Sequence, residues 1–347
     1  MEMAEEVVVL VIGAEPAGLV TAACLARRHV PYVMVERESC SASLWRHRTY
    51  DRLKLHLAKE FCELPHMAYP MGTPTYVPRK RFVEYLDGYI DRFRIRPRYR
   101  TVVESAVYDD GRSRWVVSAR DMAIDVEVKF VARFLVIATG ENSKANIPLV
   151  PGLPGFVGEA ILSSVYKSGK CYTRKNILVV GAGNSGMEVA YDLATHGANT
   201  SIVVRRPLNG NLNAANVIFG DMSKHGIVRP KMGPLLLKSQ TGRSAIIDVG
   251  TAKLIRGGFI KVFTGISTIN ANSVVFHGGK EVPFDAILFA TGYKSTNGES
   301  MFKDGFPKKG FPNHWKGEDG LYCVGFARRG LTGIAMDAKN VIEVLLK

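Results

Sequence analysis

Three glycines, at positions 181, 183 and 186, have the spacing of a loop that binds a nucleotide phosphate. They follow the apolar run Ile177–Val180 and precede a segment with the pattern of a helix that ends near Gly197. In such a loop the first glycine permits the bend from strand to helix, the second lets the backbone approach a pyrophosphate, and the third permits close packing. The helix N-terminus then offers unpaired N–H groups to the anion. The sequence therefore predicts a dinucleotide site formed by Gly181, Gly183, Asn184, Ser185 and Gly186.

The apolar run after this helix ends in two arginines, Arg205 and Arg206. A site for NADH usually has an acidic residue at this place, which binds the ribose hydroxyls, whereas arginine suits a 2′-phosphate. The pair therefore favours NADPH as the dinucleotide. The alternative is that both arginines only cap a solvated strand end.

A second, less regular turn lies near the N-terminus, after the apolar run Val7–Ile12. Its glycines are Gly13 and Gly18, and the residues between them include Glu15, Pro16 and Ala17. The apolar run after its helix ends in Glu36 and Arg37, and Glu36 follows Gly18 by 18 positions. A carboxylate at that distance accepts hydrogen bonds from the ribose of an adenosine without a 2′-phosphate. FAD meets that requirement, so we expect FAD at the first turn.

Glu15 departs from the pattern, because it occupies the place of the second glycine. A carboxylate there brings a like charge towards the pyrophosphate, at a cost of about 4 kcal/mol for charges ~4 Å apart at an effective dielectric constant of ~20. A stabilising interaction with the helix dipole contributes only about 1 kcal/mol in return. Weak FAD binding is the expected consequence.

Both turns lie in strand–helix–strand patterns, which predict an α/β fold with two interleaved Rossmann-like dinucleotide-binding domains. We expect three-layer parallel sheets with a smaller β meander, because residues 99–135 alternate in short β-like pieces. The absence of a low-complexity linker favours tight packing. The predicted FAD domain comprises residues 1–165 and 286–347, and a shortened NADPH domain comprises residues 166–285. Between the turns, Phe82, Leu86, Tyr89 and Phe93 share one helical face and are expected in the core.

Composition indicates an ordinary globular protein with a basic surface. The chain has 347 residues and a formal net charge of +14, which attracts anionic ligands. No nucleic-acid-binding signature accompanies the charge. No apolar run has the length of a membrane span, and the acidic N-terminus does not predict a signal peptide. The five cysteines are scattered without a CxxC pair, which argues against zinc and a redox dithiol and favours a reducing, cytoplasmic setting.

Longer phrases resemble the flavin-containing monooxygenases of the YUCCA type, the plant family that converts indole-3-pyruvate to indole-3-acetate in auxin biosynthesis. These phrases run nearly from end to end of the chain: SLWRHRTYDRLKLHL (43–57), ATGEN (138–142), YKSG (166–169), GAGNSGMEVAYDLA (181–194), FATGY (289–293) and GFPNHWKGEDGLYCVGFARRGLTG (310–333).

The resemblance implies a monooxygenase that uses FAD, NADPH and O2 on a small 2-oxo acid. It places Leu44, Trp45 and Arg46 along the flavin. It also makes His56 a weak catalytic candidate, and the alternative interpretation is an ordinary core or surface histidine. The turns that contain Thr139 and Gly140, and Thr291 and Gly292, would be the crossings between the domains.

Two further departures accompany Glu15. In the family pattern FxGxxxHxxxY/F the histidine position is occupied by Leu162 in this chain, and leucine cannot form the hydrogen bonds of an imidazole. The chain also lacks most of an apolar segment that the family has after Arg206. The alternative function is therefore a catalytically impaired homologue that keeps the fold and NADPH binding but binds FAD poorly.

Overall fold

A computed structural model describes residues 4–142, 144–204, 246–294, 302–303 and 306–346 of the chain. The described strands are β1 (Glu5–Ile12), β2 (Tyr32–Val35), β3 (Thr101–Asp109), β4 (Arg114–Asp121), β5 (Val126–Ile137), β6 (Lys144–Ala145), β7 (Glu159–Leu162), β8 (Asn176–Val180), β9 (Asn199–Val203), β10 (Ile260–Phe263), β11 (Ile266–Ile269), β12 (Ser273–Phe276), β13 (Glu281–Pro283), β14 (Ala286–Phe289), β15 (Tyr293–Lys294), β16 (Phe302–Lys303), β17 (Phe306–Pro307) and β18 (Leu321–Cys323). The described α-helices are α1 (Pro16–Arg27), α2 (Ser43–His47), α3 (Arg79–Arg92), α4 (Asn184–Thr195), α5 (Thr251–Arg256) and α6 (Gly330–Leu345).

The chain forms two compact units. The first comprises Met1–His47, Leu53–Lys144 and Tyr293–Lys347, and the second comprises Arg48–Arg52 and Ala145–Gly292. These bounds differ from the predicted ones, which assigned residues 145–165 and 286–292 to the first domain. The physical reason is strand pairing: β14 lies between β7 and β8, so all three strands belong to one sheet in the second unit.

The first unit is built on a six-stranded sheet. Along the sheet the strands follow the order β2–β1–β5–β4–β3, and the short strand β18 also pairs with β5. β1 runs parallel to β2 and β5, and β18 runs parallel to the last three residues of β5. The apolar run of β1 is typical of a parallel strand covered on both faces.

The predicted β meander is continuous with this sheet. β3, β4 and β5 pair in antiparallel order, and β5 is a single 12-residue strand. Its first half pairs with β4 and its last residues pair with β18. This stretch is therefore one continuous strand, which leads directly to the turn at Thr139.

Helices α1 and α3 contribute to the core of the first unit. α1 begins with Pro16, whose fixed backbone angle suits a first helical position, and its residues from Pro16 to Leu25 are buried. In α3 the predicted face is confirmed, because Phe82, Leu86 and Tyr89 are fully buried. Phe93, just after α3, is partly buried against the same cluster.

The second unit contains a five-stranded sheet in the order β10–β9–β8–β14–β7, with every pairing parallel. A separate antiparallel sheet of β11, β12 and β13 packs its buried residues Ile269, Val274 and Phe276 into the same hydrophobic cluster as β8 and β14. The α/β class with two nucleotide-binding folds, predicted from the sequence, is therefore confirmed. Within the described parts of the chain, no helix has the length and apolar character needed to cross a membrane.

Candidate nucleotide-binding sites

The first glycine turn lies at the carboxyl end of β1. Gly13 has φ +106°, which favours glycine, and a Cβ there would lie 2.7 Å from the carbonyl oxygen of Ala138. A Cβ on Gly18 would lie only 1.9 Å from the carbonyl oxygen of Gly13. Both positions therefore exclude any side chain, and they bring the N-terminus of α1 directly against the end of the sheet.

The second turn repeats this geometry at the end of β8. Gly181 has φ +112°, and a Cβ there would lie 2.5 Å from the carbonyl oxygen of Ala290. A Cβ on Gly186 would lie 1.9 Å from the carbonyl oxygen of Gly181. The two turns are therefore structural equivalents in the two units.

Each glycine turn packs against an Ala-Thr-Gly turn at the end of a neighbouring strand. The amide of Ala138 donates to the carbonyl of Ile12 at 2.9 Å, and the amide of Ala290 donates to the carbonyl of Val180 at the same distance. Gly140 and Gly292 both have positive φ, at +74° and +84°. The hydroxyl of Thr291 also donates to the carbonyl of Asn146. The chain passes from one unit to the other within a few residues of these turns.

Position 15 in the first turn corresponds to position 183 in the second. Glu15 precedes α1 with φ −74° and ψ 173°, and Gly183 precedes α4 with φ −75° and ψ −175°. A Cβ added to Gly183 would meet no atom of the described residues within 4 Å. The shared backbone conformation is open to any residue, so the turn accepts a glutamate, and the glycine at 183 keeps the space beside the helix N-terminus empty.

The carboxylate of Glu15 hydrogen-bonds to the start of α2 and does not cap its own helix. Its Oε1 accepts hydrogen bonds from the amide of Leu44 at 2.9 Å and from the hydroxyl of Ser43 at 3.0 Å, both at the start of α2. It makes no side-chain cap bond to α1. The first N–H groups of α1, after the donorless Pro16, therefore remain available to an anion near Ala17 and Gly18.

The electrostatic setting of Glu15 favours its neutral form. Burial raises its pKa above the ordinary value of 4.5, and the neighbouring carboxylates of Glu36 and Glu38 add to the rise. The hydrogen bonds from Leu44 and Ser43 oppose it. The other carboxyl oxygen, Oε2, is buried and has no hydrogen-bond partner among the described residues.

Glu36, at the end of β2, has the predicted place beside the first turn. Its Oε2 accepts from the amide of Ala14 at 2.6 Å and its Oε1 accepts from the amide of Glu38 at 2.8 Å. Burial raises its pKa, while those two amides and Arg37 oppose the rise. A carboxylate can accept about four hydrogen bonds, so two remain for ribose hydroxyls. Arg37 extends towards Glu38, 3.5 Å away.

The residues predicted along the flavin form helix α2. Leu44 contributes its amide to Glu15, as described above. The ring of Trp45 packs edge-on against Phe82 of α3 at 4.6 Å, and the guanidinium of Arg46 pairs with Asp87 of the same helix. These side-chain contacts anchor α2 on α3, and a role at the flavin stays a prediction for all three residues.

The first turn of α4 carries the remaining residues predicted at the second turn. The side-chain oxygen of Asn184 accepts from the amide of Ile247 at 2.8 Å. Ser185 hydrogen-bonds Tyr50, whose hydroxyl also donates to the buried carboxylate of Glu188. Tyr50 belongs to the segment Arg48–Arg52, which the sequence assigned to the first domain.

Sequence reasoning missed this attachment of Arg48–Arg52 to α4. Its signal is a pair of acidic residues, Glu188 and Asp192, one turn apart in a helix that is otherwise mostly apolar where buried. Asp192 accepts from the hydroxyl of Tyr166 and, at 2.8 Å, from the amide of Gly169. The YKSG phrase (166–169) is therefore tied to α4 by one buried carboxylate.

The other residues predicted from the sequence lie outside the two glycine turns or outside the described residues. Leu162 ends β7 and packs against the apolar cluster of the second unit, where an imidazole would lose those contacts. His56 is half-buried in the loop between α2 and α3, and its role stays a prediction. Arg205, Arg206 and the shortened segment after them lie outside the described residues.

Comparison of the sequence with known proteins shows the family to which this chain belongs. The family model for pyridine nucleotide-disulphide oxidoreductases matches residues 10–220. The probable indole-3-pyruvate monooxygenase YUCCA10 of Arabidopsis thaliana is 45% identical over 97% of both chains. This chain belongs to the YUCCA family of flavin-dependent monooxygenases. A second member, the indole-3-pyruvate monooxygenase YUCCA1 of rice (Oryza sativa subsp. japonica), is 42% identical over 96% of this chain and 90% of its own.

Solved structures with the same fold include two monooxygenases. A flavin-containing monooxygenase from Stenotrophomonas maltophilia has a TM-score of 0.77 at 19% identity and covers 99% of this chain and 98% of its own. Cyclohexanone monooxygenase from Rhodococcus sp. Phi1, bound to NADP+, has a TM-score of 0.75 at 18% identity, covering 99% and 85%. At these identities the likeness shows the fold alone.

The alignment with YUCCA10 also bears on the predicted deletion. It extends over 370 positions, more than the 347 residues of this chain, so this chain lacks positions that the relative has. Their predicted place after Arg206 stays a prediction.

FAD and NADPH are the cofactors of this enzyme family. The second turn fits a dinucleotide without change, since Gly183 leaves open space at the N-terminus of α4. The first turn fits FAD through Gly13, Gly18 and Glu36, and Glu15 is compatible with a pyrophosphate when its carboxyl group is neutral. Among the described residues, both turns therefore keep the helix N-terminus that a dinucleotide requires.

Proposed function

We propose that this protein is a monooxygenase that converts indole-3-pyruvate, NADPH, a proton and O2 to indole-3-acetate, carbon dioxide, NADP+ and water. The observation that carries the proposal is the pair of equivalent glycine turns, one followed by buried Glu36 and the other with open space at Gly183, in a chain 45% identical to a YUCCA relative. When bound, FAD supplies the activation of O2, which protein side chains do not provide.

The residues around the two turns differ in chemistry, and this difference assigns one cofactor to each turn. We assign FAD to the first turn, where the amides of Ala17 and Gly18 would bind the pyrophosphate and Glu36 would bind the adenosine ribose. We assign NADPH to the second turn, where the N-terminus of α4 would bind the pyrophosphate. On sequence grounds Arg205 and Arg206 would bind the 2′-phosphate.

Two general properties of the chain support the assignment. The substrate and both cofactors are anions, and a net charge of +14 raises their local concentration at the protein surface. All five cysteines are unpaired, as in a reducing compartment, which favours action in the cytoplasm. Unpaired and dispersed thiols also argue against a disulfide reductase of the same fold.

The test is a stoichiometric assay on the purified full chain with excess FAD, so that weak flavin binding does not limit turnover. NADPH and O2 consumption are recorded together with indole-3-acetate and carbon dioxide. We expect all four quantities in a 1:1:1:1 ratio, with NADPH preferred over NADH. Replacement of both Arg205 and Arg206 by alanine should remove that preference without removing the reaction with NADH.

Two outcomes would contradict the proposal. NADPH consumption that yields hydrogen peroxide without indole-3-acetate would show an NADPH oxidase. Binding of NADP+ without any FAD binding or NADPH consumption would show a catalytically impaired homologue.

A further inference from the structure

One buried polar atom in the first turn has no counterpart in the second. Oε2 of Glu15 is shielded from solvent and has no hydrogen-bond partner among the described residues, whereas Oε1 has two. A buried carboxylate oxygen without a donor is costly, and protonation removes most of that cost by removing the charge. A neutral carboxyl group also gains a donor, the hydroxyl of its own acid.

The side chain of Glu15 leads into the space that an anion would use. Positions 15 and 183 have the same extended backbone conformation, and no described residue lies within 4 Å of a Cβ placed on Gly183. The Glu15 side chain therefore leaves the backbone in the direction that is vacant in the second turn. It ends on the amide of Leu44, and it leaves the first amides of α1 uncapped.

The charged groups around Glu15 do not neutralise it. Glu36 and Glu38, after β2, both disfavour the carboxylate. On α2, the guanidinium of Arg46 pairs with Asp87 of α3. Burial raises the pKa of the Cys40 thiol, Arg46 opposes that rise and the neighbouring carboxylates add to it, so the neutral thiol is favoured.

We propose that this protein binds FAD together with a proton, and that the neutral carboxyl group of Glu15 donates its hydrogen to the FAD pyrophosphate. The proposal rests on the assignment of FAD to the first turn. The amides of α1 and the acid of Glu15 then share the pyrophosphate as donors. At the second turn Gly183 contributes no such group, so NADPH binds without this proton.

The coupling sets the direction of the pH dependence. The bound pyrophosphate raises the pKa of Glu15 further, so the complex holds the proton more tightly than the free protein does. FAD affinity is greatest below the pKa of Glu15 in the free protein, which burial raises above 4.5. It falls by up to about tenfold per pH unit between the free and bound pKa values.

The experiment measures FAD dissociation constants between pH 5.5 and 8.5 at constant ionic strength, by equilibrium dialysis, for wild type, Glu15→Gln and Glu15→Gly. For wild type we expect weakening of up to about tenfold per unit over part of this range. Glu15→Gln keeps the shape and a donor, so it should bind FAD at pH 8.5 roughly 100-fold more tightly than wild type, with no slope. Glu15→Gly removes the charge and the donor, so it should also lack the slope.

Calorimetry of FAD binding in two buffers of different ionisation enthalpy counts the protons directly. We expect uptake of up to one proton by wild type at pH 7 and none by Glu15→Gln. Circular dichroism confirms that all three proteins are folded. Because the pKa of Glu36 is also raised by burial, the glutamine variant is the decisive control for the source of the slope.

Each result bears on one of the two proposals. FAD binding by wild type without a pH slope, or a slope that persists in Glu15→Gln, overturns the coupling and leaves the proposed function intact. Equal FAD affinity of wild type and Glu15→Gln at pH 8.5 also overturns it. A lack of FAD binding by all three proteins at every pH overturns the proposed function, and the coupling with it.

Discussion

The closest approach in each glycine turn lies at its last glycine, which gives a matched pair of substitutions. Alanine at Gly18 or at Gly186 would place a Cβ 1.9 Å from a carbonyl oxygen, that of Gly13 or of Gly181. Both neighbours are backbone atoms, which cannot rotate away as a side chain can. The helix and the turn must therefore separate by at least about 1 Å before the added Cβ is sterically possible.

The expected cost has two components. Overpacking of this kind destabilises a fold by about 1–3 kcal/mol. A helix N-terminus displaced by about 1 Å also loses charge-assisted hydrogen bonds to a pyrophosphate, each contributing about 1.5–3 kcal/mol. Loss of one such bond weakens binding by roughly 10- to 100-fold. Gly18→Ala should weaken FAD binding by that factor and leave NADP+ binding unchanged, and Gly186→Ala should do the reverse.

The assay is equilibrium binding of FAD and of NADP+ to each variant, with urea denaturation for stability. Gly88→Ala is the control, because Gly88 is an exposed residue inside α3 whose added Cβ would lie 3.7 Å from Met67. It should stabilise the protein by about 0.5–1 kcal/mol and alter neither affinity. If Gly18→Ala and Gly186→Ala weakened the same cofactor, or each weakened the cofactor assigned to the other turn, the assignment would be refuted.

Three further predictions concern the surroundings of the turns. Glu15→Gln should stabilise the FAD-free protein, and the difference in unfolding free energy should grow as pH rises from 5 to 8. The reason is that the raised pKa of Glu15 in the folded state gives stability below pH 4.5, which is lost as pH rises through that pKa. Equal stability of both proteins across that range in urea titrations would contradict this. Gly183→Glu should weaken NADP+ binding, measured by calorimetry, by at least about tenfold at pH 8, because it places a like charge in the space beside Gly183. Unchanged affinity would show that NADP+ does not use this space. Tyr50→Phe should lower the free energy of unfolding by about 1–3 kcal/mol, because the buried carboxylate of Glu188 loses a hydrogen bond. The same change at exposed Tyr76 should leave the free energy of unfolding unchanged.

The glycine spacing made the turns predictable from the sequence. Gly13, Gly18, Gly181 and Gly186 meet backbone atoms at distances that exclude a side chain, so residue type alone identifies them. The buried face of α3 was equally visible, because helical periodicity survives in any context that buries one face. Glu36 followed from its distance to Gly18 along a strand–helix–strand unit.

Other features depend on contacts between residues distant in the chain. The Glu15 side chain accepts a hydrogen bond from the amide of Leu44, which lies 29 residues later in the chain. The local sequence pattern around Glu15 does not predict this contact. The second unit gains Arg48–Arg52 through Tyr50 and Glu188, which are 138 residues apart. The domain bounds depended on β14 pairing with both β7 and β8, and propensity cannot choose between neighbouring sheets.

At positions 15 and 183 the two turns differ in side-chain chemistry and not in backbone conformation. A residue that strained the turn would show an unusual backbone, yet Glu15 (φ −74°, ψ 173°) and Gly183 (φ −75°, ψ −175°) share one extended conformation. Backbone atoms leave no room for a side chain at Gly13 and Gly18, and the same holds at Gly181 and Gly186. What differs is one carboxyl group held beside an unused helix N-terminus. The two glycine turns therefore share a framework and differ, at positions 15 and 183, in one ionisable side chain, through which the proposed binding of FAD responds to pH.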